Sequence, residues 1–251
     1  MPDTRAPRNP LFVALDTNDL RTARAWAKDL GSVVGGIKLG LEFFSAHGAA
    51  GVRAVMGADA PPLFLDLKFH DIPNTVAGAV RAVAPLAPHI VNVHAAGGRA
   101  MMRAALEAAG EEAARLGLPK PKMIAVTVLT SLDDPDMQAT GITAPVFDQV
   151  RRLAALSIDA GLDGVVCSPR EVSVLRADLG SDPLLVTPGV RPDSAPTQDQ
   201  KRVTTPAQAL QAGATHLVIG RPITGAPNLA AAARGILDDL GPSLGGKDTL
   251  S

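Results

Sequence analysis

The sequence predicts an α/β protein that folds as a single (β/α)8 TIM barrel over residues 1–251. Two observations support this prediction: eight short apolar runs recur along the chain, and Ala-rich amphipathic stretches separate them. Eight such units in about 250 residues are typical of this barrel. A doubly wound open sheet is the alternative, but the glycine-rich first turn of that fold is missing, since the first turn here reads Asp16-Thr17-Asn18-Asp19.

The eight runs have the composition of strands buried on both faces, because they are rich in Val, Ile and Leu. Between them apolar residues recur at helical spacing, as in 76–86. Asp71 with Pro73 predicts an N-cap and a first-turn proline, whereas Gly161 and Gly213 predict helix ends. The runs are Leu11–Asp16, Gly36–Gly40, Leu63–Lys68, Ile90–Ala95, Met123–Leu129, Gly164–Ser168, Leu184–Gly189 and His216–Gly220.

Composition and charge argue against several classes of protein. Lys and Arg number 24 against 25 Asp and Glu, so no basic surplus indicates a nucleic-acid partner. The single cysteine, Cys167, excludes a disulfide framework and suits a reducing compartment. No apolar run approaches the ~20 residues of a membrane span, and the N-terminus lacks the apolar core of a secretory signal. We therefore expect a soluble, cytoplasmic protein with no membrane partner.

Four segments are polar or rich in Gly and Pro. Residues 1–10 and 243–251 are predicted to be loose terminal tails. Thr130–Thr143 and Val190–Arg202 are predicted to be long loops that follow strands, and such loops are candidate lids over the site of a barrel. No segment has the composition of a linker between domains.

Charged residues occur at the predicted C-terminal ends of the strands, where barrels build their active sites. In the third run the two-residue period places Phe64, Asp66 and Lys68 on one face, with Leu65 and Leu67 toward the helices. Two opposite charges thereby point into the barrel mouth, where burial is costly unless they are paired. For this pair we favour a function over a purely stabilising role.

Three neighbouring charged residues leave alternatives open. Lys38 ends the second run among apolar residues, which disfavours a solvated lysine. Asp16 fits a helix cap and a ligand equally well, and Asp71 taken alone fits an N-cap better than a site residue. A lysine flanked by carboxylates keeps its positive charge, which suits stabilising and protonating a carbanion rather than Schiff-base chemistry.

The end of the last run predicts a phosphate site. Gly220 lets the backbone approach an anion closely, and Arg221 adds a forked donor. Arg191 and Gln200 lie on the preceding long loop, within reach of the same group if that loop closes. A strand-to-loop glycine beside a surface arginine is the alternative.

Other reactive side chains carry weaker signals. The five histidines show no metal-ligand spacing, so we expect no metal site. His94 fits a satisfied core residue as well as a ligand. Cys167 is expected to be an inert buried thiol.

Seven segments together resemble the orotidine 5′-phosphate decarboxylase family in its bacterial form. The most specific is 65–75, which reads LDLKFHDIPNT. Because the segments run from the first predicted strand to the last, the resemblance covers nearly the whole chain. The others are 13–16 (VALD), 37–40 (IKLG), 91–98 (VNVHAAGG), 126–131 (VTVLTS), 187–192 (TPGVRP) and 218–221 (VIGR).

The resemblance implies a decarboxylase that converts orotidine 5′-phosphate to UMP without metal or cofactor, in the last step of de novo pyrimidine synthesis. It implies that Lys68 gives a proton to C6 of the pyrimidine and that Asp66 lies against the substrate carboxylate. Lys38 and Asp71 complete an alternating charged array. The resemblance assigns Asp71 to the other subunit of a homodimer.

The resemblance also implies a set of substrate-binding residues. Asp16 and Lys38 would bind the ribose, joined by Thr75 from the partner chain. Thr130 and Ser131 would contact the pyrimidine. The phosphate would be held by residues near the last two strands: Arg191, Gln200, Gly220 and Arg221.

Two other functions fit part of the pattern. A Mg²⁺-dependent sugar-phosphate decarboxylase or aldolase-like lyase, such as the 3-keto-gulonate-phosphate decarboxylases, resembles the chain in its Asp-x-Lys-x-x-Asp motif but forms an enediolate. A non-catalytic phosphosugar-binding barrel belongs to a different class, although the intact set of Asp66, Lys68 and Asp71 argues against it. Activity in EDTA and an absorbance assay on orotidine 5′-phosphate separate the three functions.

Overall fold

Eight parallel strands close into a barrel in the computed structural model, which describes residues 9–57, 59–191 and 204–241. The strands are β1 (Leu11–Ala14), β2 (Gly36–Gly40), β3 (Leu63–Phe69), β4 (Ile90–His94), β5 (Lys122–Val126), β6 (Gly164–Val166), β7 (Leu184–Pro188) and β8 (His216–Ile219). Each strand pairs with the next along the chain, and β1 pairs with β8 to close the ring. The predicted α/β class and single TIM barrel are confirmed.

Within the described ranges, at least one helix follows every strand. Gly161 and Gly213 lie just beyond two of these helices with φ of 93° and 109°, so the predicted helix ends are confirmed. The helices are α1 (Leu20–Leu30), α2 (Leu41–Val55), α3 (Pro73–Val83), α4 (Gly98–Leu116), α5 (Asp134–Ala139), α6 (Val146–Asp159), α7 (Val172–Leu179), α8 (Pro206–Gln211), α9 (Arg221–Thr224) and α10 (Leu229–Leu240).

The strand side chains divide between two apolar layers, as the two-residue period predicts. In β3, Phe64 belongs to the cluster inside the barrel, whereas Leu65 and Leu67 pack in the larger layer that includes the helices. The inner cluster consists of Phe12, Ala14, Phe64, Ile90, Ile124, Leu184, Val186 and Val218. The barrel interior is thus a packed core, which leaves its rim for a ligand site.

The ring of Phe12 fills the N-terminal end of the barrel. Its centroid lies 5.3 Å from that of His216 and 6.5 Å from that of His89. A side chain at Gly36 would collide with this ring, because a Cβ there would lie 2.1 Å from a ring carbon. Burial lowers the pKa of His216 to about 4, so the histidine is neutral at pH 7. The C-terminal end of the barrel therefore offers the open route for a ligand.

The N-terminal segment enters the fold earlier than the sequence predicts. Asn9 Nδ2 donates to the Val33 carbonyl at 2.8 Å, and the N–H of Leu217 donates to the Pro10 carbonyl at 2.9 Å. The inclusion of these two residues in a loose tail is wrong, because their hydrogen bonds extend the first strand toward its neighbours. The rest of the predicted tails, 1–8 and 243–251, lies outside the described residues.

Of the two predicted long loops, the structure describes the first completely and only the beginning of the second. The segment Thr130–Thr143 contains α5, because Asp133 and Asp136 form reciprocal capping hydrogen bonds that start a helix. Most of Val190–Arg202 lies outside the described residues. In the part of the chain that is described, no helix is both long and apolar enough to cross a bilayer.

Candidate active site

A buried carboxylate, Asp66, lies at the barrel mouth between two ammonium groups. Lys68 Nζ donates to Asp66 Oδ1 at 2.7 Å, and Lys38 Nζ lies 3.3 Å from Oδ2. Burial raises the pKa of Asp66, but the charges of Lys38 and Lys68 and hydrogen bonds from Lys68 and Asn92 outweigh burial and lower it overall. Asp66 is therefore ionised at neutral pH, and the predicted pairing of its charge with that of Lys68 is confirmed.

The charges alternate in sign from the rim of the barrel to its interior. Lys38 Nζ also lies 3.3 Å from Asp16 Oδ1, and only 13% of the Lys38 side chain is exposed against 63% of Asp16. Lys38 is thus a bridge between two carboxylates rather than a solvated lysine. The helix-cap alternative for Asp16 is wrong, because the carboxylate of Asp19 accepts the N–H of Thr22 and caps α1.

Lys68 has an unusual backbone conformation. Its φ is 50°, in the left-handed region that a residue with a side chain adopts at a cost of about 1–2 kcal/mol. The β3–β4 ladder is irregular here, since Leu65 pairs with Val91 and the next pair joins Phe69 to Val93. The irregularity takes the residues between Leu65 and Phe69, Lys68 among them, out of regular pairing with β4. Such strained positions cluster at functional sites.

Asn92 is a site residue that the sequence analysis missed. Its side chain is fully buried, its Nδ2 donates to Asp66 Oδ1 at 2.7 Å, and its Oδ1 accepts the backbone N–H of Lys68 at 2.8 Å. A signal was present in the sequence. Asn92 is a polar residue in an otherwise apolar strand, and its spacing places it on the same face as Ile90 of the inner cluster.

A cavity of about 250 Å³ opens beside these charges. Its polar side carries Lys38, Asp66 and Lys68 from β2 and β3. Its other walls are mostly apolar and come from β5 to β8, chiefly Val126, Val166, Val186 and Val218. The cavity can hold a flat ring with one edge against the ammonium groups and its faces against apolar side chains.

The two predicted pyrimidine contacts lie in different surroundings. Thr130 lines this cavity and an adjoining opening of about 850 Å³. Ser131 is exposed, and the structure does not place it in the wall of either cavity. The two neighbours are therefore not brought together at the charged residues.

Asp71 and Thr75 lie on an exposed stretch at the start of α3. The N-cap prediction for Asp71 is wrong, because Ile72, held extended before Pro73, occupies the cap position. The Asp71 carboxylate accepts the N–H of Ile72 at 2.6 Å. Within the described ranges no cation is paired with Asp71, so one chain does not bring it to its own Lys68.

The predicted phosphate residues follow two neighbouring strands, since β7 and β8 pair through Pro188 and Val218. Arg191 is half-buried just beyond β7, and Arg221 is exposed at the start of α9. A Cβ at Gly220 would lie 3.6 Å from Asp16 Oδ2, so this segment borders the chain of charges. Gln200 lies outside the described residues.

Other reactive groups near the mouth do not extend the charged array. Cys167 lines the cavity, but burial raises the pKa of its thiol to about 12, so it stays protonated, as expected of an inert thiol. His94 is half-buried with its ring 5.5 Å from that of His70, and burial lowers its pKa. The described residues contain no group of three or more His, Cys, Asp and Glu side chains that could hold a metal ion.

Comparison with known proteins shows the family of this chain. Residues 9–236 match the model of the orotidine 5′-phosphate decarboxylase / HUMPS family. An orotidine 5′-phosphate decarboxylase from Rhodospirillum rubrum is 65% identical over 240 residues, which cover 96% of this chain and 97% of that protein. One from Paramagnetospirillum magneticum is 53% identical over 93% of this chain and 99% of its own length.

A solved structure of an orotidine 5′-phosphate decarboxylase also matches this chain in fold. The crystal structure of orotidine 5′-phosphate decarboxylase from Lactobacillus acidophilus has a TM-score of 0.80 to this chain at 35% identity, and the match covers 93% of this chain and 99% of that one. The family model, the relatives and the fold agree over nearly the whole length. The chain therefore belongs to the orotidine 5′-phosphate decarboxylase / HUMPS family.

Proposed function

We propose that the chain decarboxylates orotidine 5′-phosphate to UMP and CO2, the last step of de novo pyrimidine synthesis. The observation that carries this proposal is the ionised Asp66 held between the ammonium groups of Lys38 and Lys68. The names of the relatives, which match over nearly their full lengths, support the same activity. We also propose that the enzyme works in the cytoplasm, where pyrimidine synthesis generally takes place.

The reaction needs a positively charged group beside one carbon atom of the substrate, C6 of the pyrimidine. When the bond from C6 to the carboxyl group breaks, its electron pair stays on C6 in the plane of the ring, where the π-system delocalises it poorly. A fixed ammonium in a site with little water stabilises that charge. Lys68 Nζ then gives C6 a proton and recovers one from solvent. Asp66 holds this ammonium in place before substrate binds.

Contacts to the parts of the substrate away from C6 also contribute to the proposed reaction. The substrate carboxylate must lie near Asp66, which is unfavourable because both groups are negative. Contacts to the remote phosphate and ribose offset that repulsion. We assign the ribose to Asp16 and Lys38, and the pyrimidine to Thr130 and Ser131. We assign the phosphate to Arg191, Gln200, Gly220 and Arg221.

We further propose that the enzyme is a homodimer with shared active sites, in which Asp71 and Thr75 enter the site of the partner. Residues 71–75 are all exposed in the single chain. Ile72 and Leu41, both large and apolar, are 67% and 53% exposed. A second copy of the chain would cover exposed apolar side chains such as these and bring the Asp71 carboxylate beside a Lys68.

The chemistry of the carboxylate bears on the Mg²⁺-dependent alternative. A Mg²⁺ site needs carboxylate oxygens that are available to the ion. Here both oxygens of Asp66 face ammonium groups, whose charge repels a divalent cation. This arrangement favours the cofactor-independent decarboxylase.

A direct assay tests the proposed function. We expect the purified protein to change the ultraviolet absorbance of orotidine 5′-phosphate as UMP forms, with full activity in excess EDTA. A rate that EDTA abolishes and Mg²⁺ restores would favour the sugar-phosphate lyase. Binding of UMP with no turnover of orotidine 5′-phosphate would favour the non-catalytic barrel.

The phosphate assignment makes a separate prediction. Arg221→Ala should raise KM for orotidine 5′-phosphate by about 10²-fold, because a charge-assisted contact to the phosphate is lost. It should lower kcat as well, since remote binding energy contributes at the reacting carbon. Turnover of the phosphate-free nucleoside should be nearly unchanged. Steady-state kinetics with both substrates measures the difference.

Arg234→Ala, which removes another exposed arginine from the outer helix α10, is the matched control and should leave both substrates unaffected. Equal losses for the nucleotide and the nucleoside in Arg221→Ala would mean that Arg221 does not bind the phosphate.

A further inference from the structure

Asn92 in the middle of β4 is a fully buried amide next to the charged array. Both ends of its carboxamide are used, and both contacts are with β3. Nδ2 donates to the side chain of Asp66, and Oδ1 accepts the backbone N–H of Lys68. A buried amide without partners would be costly, but these two hydrogen bonds satisfy it.

The second of these bonds replaces part of the sheet. Between Leu65 and Phe69 the register of β3 against β4 shifts, so Lys68 lies outside the regular ladder. Its N–H, which a strand neighbour would normally accept, is accepted by the Asn92 side chain at 2.8 Å. The bond therefore holds Lys68 at a backbone position where φ is 50°.

The first bond orients the carboxylate. Asp66 Oδ1 accepts both Asn92 Nδ2 and Lys68 Nζ at 2.7 Å, while Oδ2 faces Lys38. A carboxylate can rotate about its last bond unless its oxygens are held differently. Because Asn92 lies in a rigid strand of the barrel, it gives Oδ1 a fixed partner.

We propose that Asn92 is a positioning residue for the decarboxylation: it fixes the Asp66 carboxylate and the Lys68 backbone relative to each other, and so sets where the ammonium lies. This inference rests on the proposed function. Asn92 does not touch the reacting atoms in this scheme, and it acts through the two residues that do. A purely structural asparagine would instead affect stability alone.

Two variants test the proposal. Asn92→Leu removes both hydrogen bonds at similar volume, and Asn92→Asp keeps an acceptor for the Lys68 N–H but replaces the donor to Asp66 with a carboxylate. We expect kcat to fall about 10²-fold in Asn92→Leu, because a small misplacement of a reacting group has an effect of this size. KM should stay within about threefold, since the phosphate and ribose contacts are unchanged.

The pH profile gives a second readout. Because the Asn92 hydrogen bond helps to lower the pKa of Asp66, its loss should move the acid limb of kcat to higher pH. The limb should move further in Asn92→Asp, where a second carboxylate adjoins the first. An NMR titration of the Asp66 carboxyl carbon follows the same change without any turnover.

Thr187→Val is the matched control, since Thr187 is a fully buried polar residue on another barrel strand, β7. It should retain the kcat and pH profile of the wild type, whatever it does to stability. If Asn92→Leu does not fold, Asn92→Asp decides alone. A folded Asn92 variant with wild-type kcat and an unchanged acid limb would overturn the proposal.

The titration also separates this inference from the proposed function. If the wild type does not decarboxylate orotidine 5′-phosphate, the proposed function fails. The Asp66 titration in Asn92→Leu then still reports whether Asn92 controls the carboxylate. If the wild type is active and the Asp66 titration is the same in Asn92→Leu as in the wild type, the result counts against Asn92 alone.

Discussion

Lys68→Ala is expected to fold and to lose decarboxylase activity by about 10⁴-fold or more. The substitution removes the positive charge at the developing carbanion and the proton that C6 receives, and each of these contributions is worth about 10²-fold or more. The fold should survive because Asp66 is not left without partners. Lys38 remains 3.3 Å from Oδ2, and Asn92 still donates to Oδ1. Single-turnover kinetics and circular dichroism measure the two properties.

Lys122→Ala is a control of the same kind, since Lys122 is also a strand lysine paired with one aspartate, Asp163, at 2.8 Å. It lies at the start of β5, away from the barrel mouth, and its loss should leave turnover unchanged. Near-normal turnover by folded Lys68→Ala protein would refute the role of Lys68.

Mixed dimers of two inactive variants should recover about a quarter of wild-type activity. We pair Lys68→Ala with Asp71→Asn and allow the subunits to exchange. Random pairing makes about half of the dimers mixed, and each mixed dimer has one intact site and one site with both defects. The expected recovery follows only if Asp71 acts in the site of its partner. Turnover before and after exchange measures it.

A second mixture of variants is the negative control for this experiment. Asp66 and Lys68 are hydrogen-bonded within one chain, so every site in a mixture of Lys68→Ala and Asp66→Asn keeps one defect. That mixture should stay inactive. No recovery with Asp71→Asn, after mass spectrometry has confirmed exchange, would exclude the cross-subunit role of Asp71.

The fold was predicted mainly from hydrophobic periodicity. The eight runs became the eight strands, and the alternation in β3 correctly placed Phe64 inside and Leu65 outside. Several runs were predicted a few residues too long at their C-terminal ends, because the apolar pattern continues where the ladder stops. Leu129, for example, was assigned to the fifth strand, but β5 ends at Val126.

The strand pattern predicted those site residues that lie at the C-terminal ends of strands. Lys38, Asp66 and Lys68 were identified from one end of the predicted strands, and the structure brings all three together. Asn92 was missed because its importance depends on hydrogen bonds to residues 24 and 26 positions away. The wrong cap at Asp71 has a local cause: the residue before a proline is held extended, which moved the cap to Ile72.

The left-handed backbone of Lys68 sets thermodynamic stability against activity at this position. A glycine would adopt the same φ without the steric cost of a side chain, about 1–2 kcal/mol, and its local backbone would be more relaxed than that of lysine. Backbone strain alone would therefore favour glycine at 68, but that change also removes the ammonium and its ion pair with Asp66. Any search for heat-resistant variants of this enzyme should hold position 68 fixed, because relief of the backbone strain there would remove the ammonium that the reaction needs.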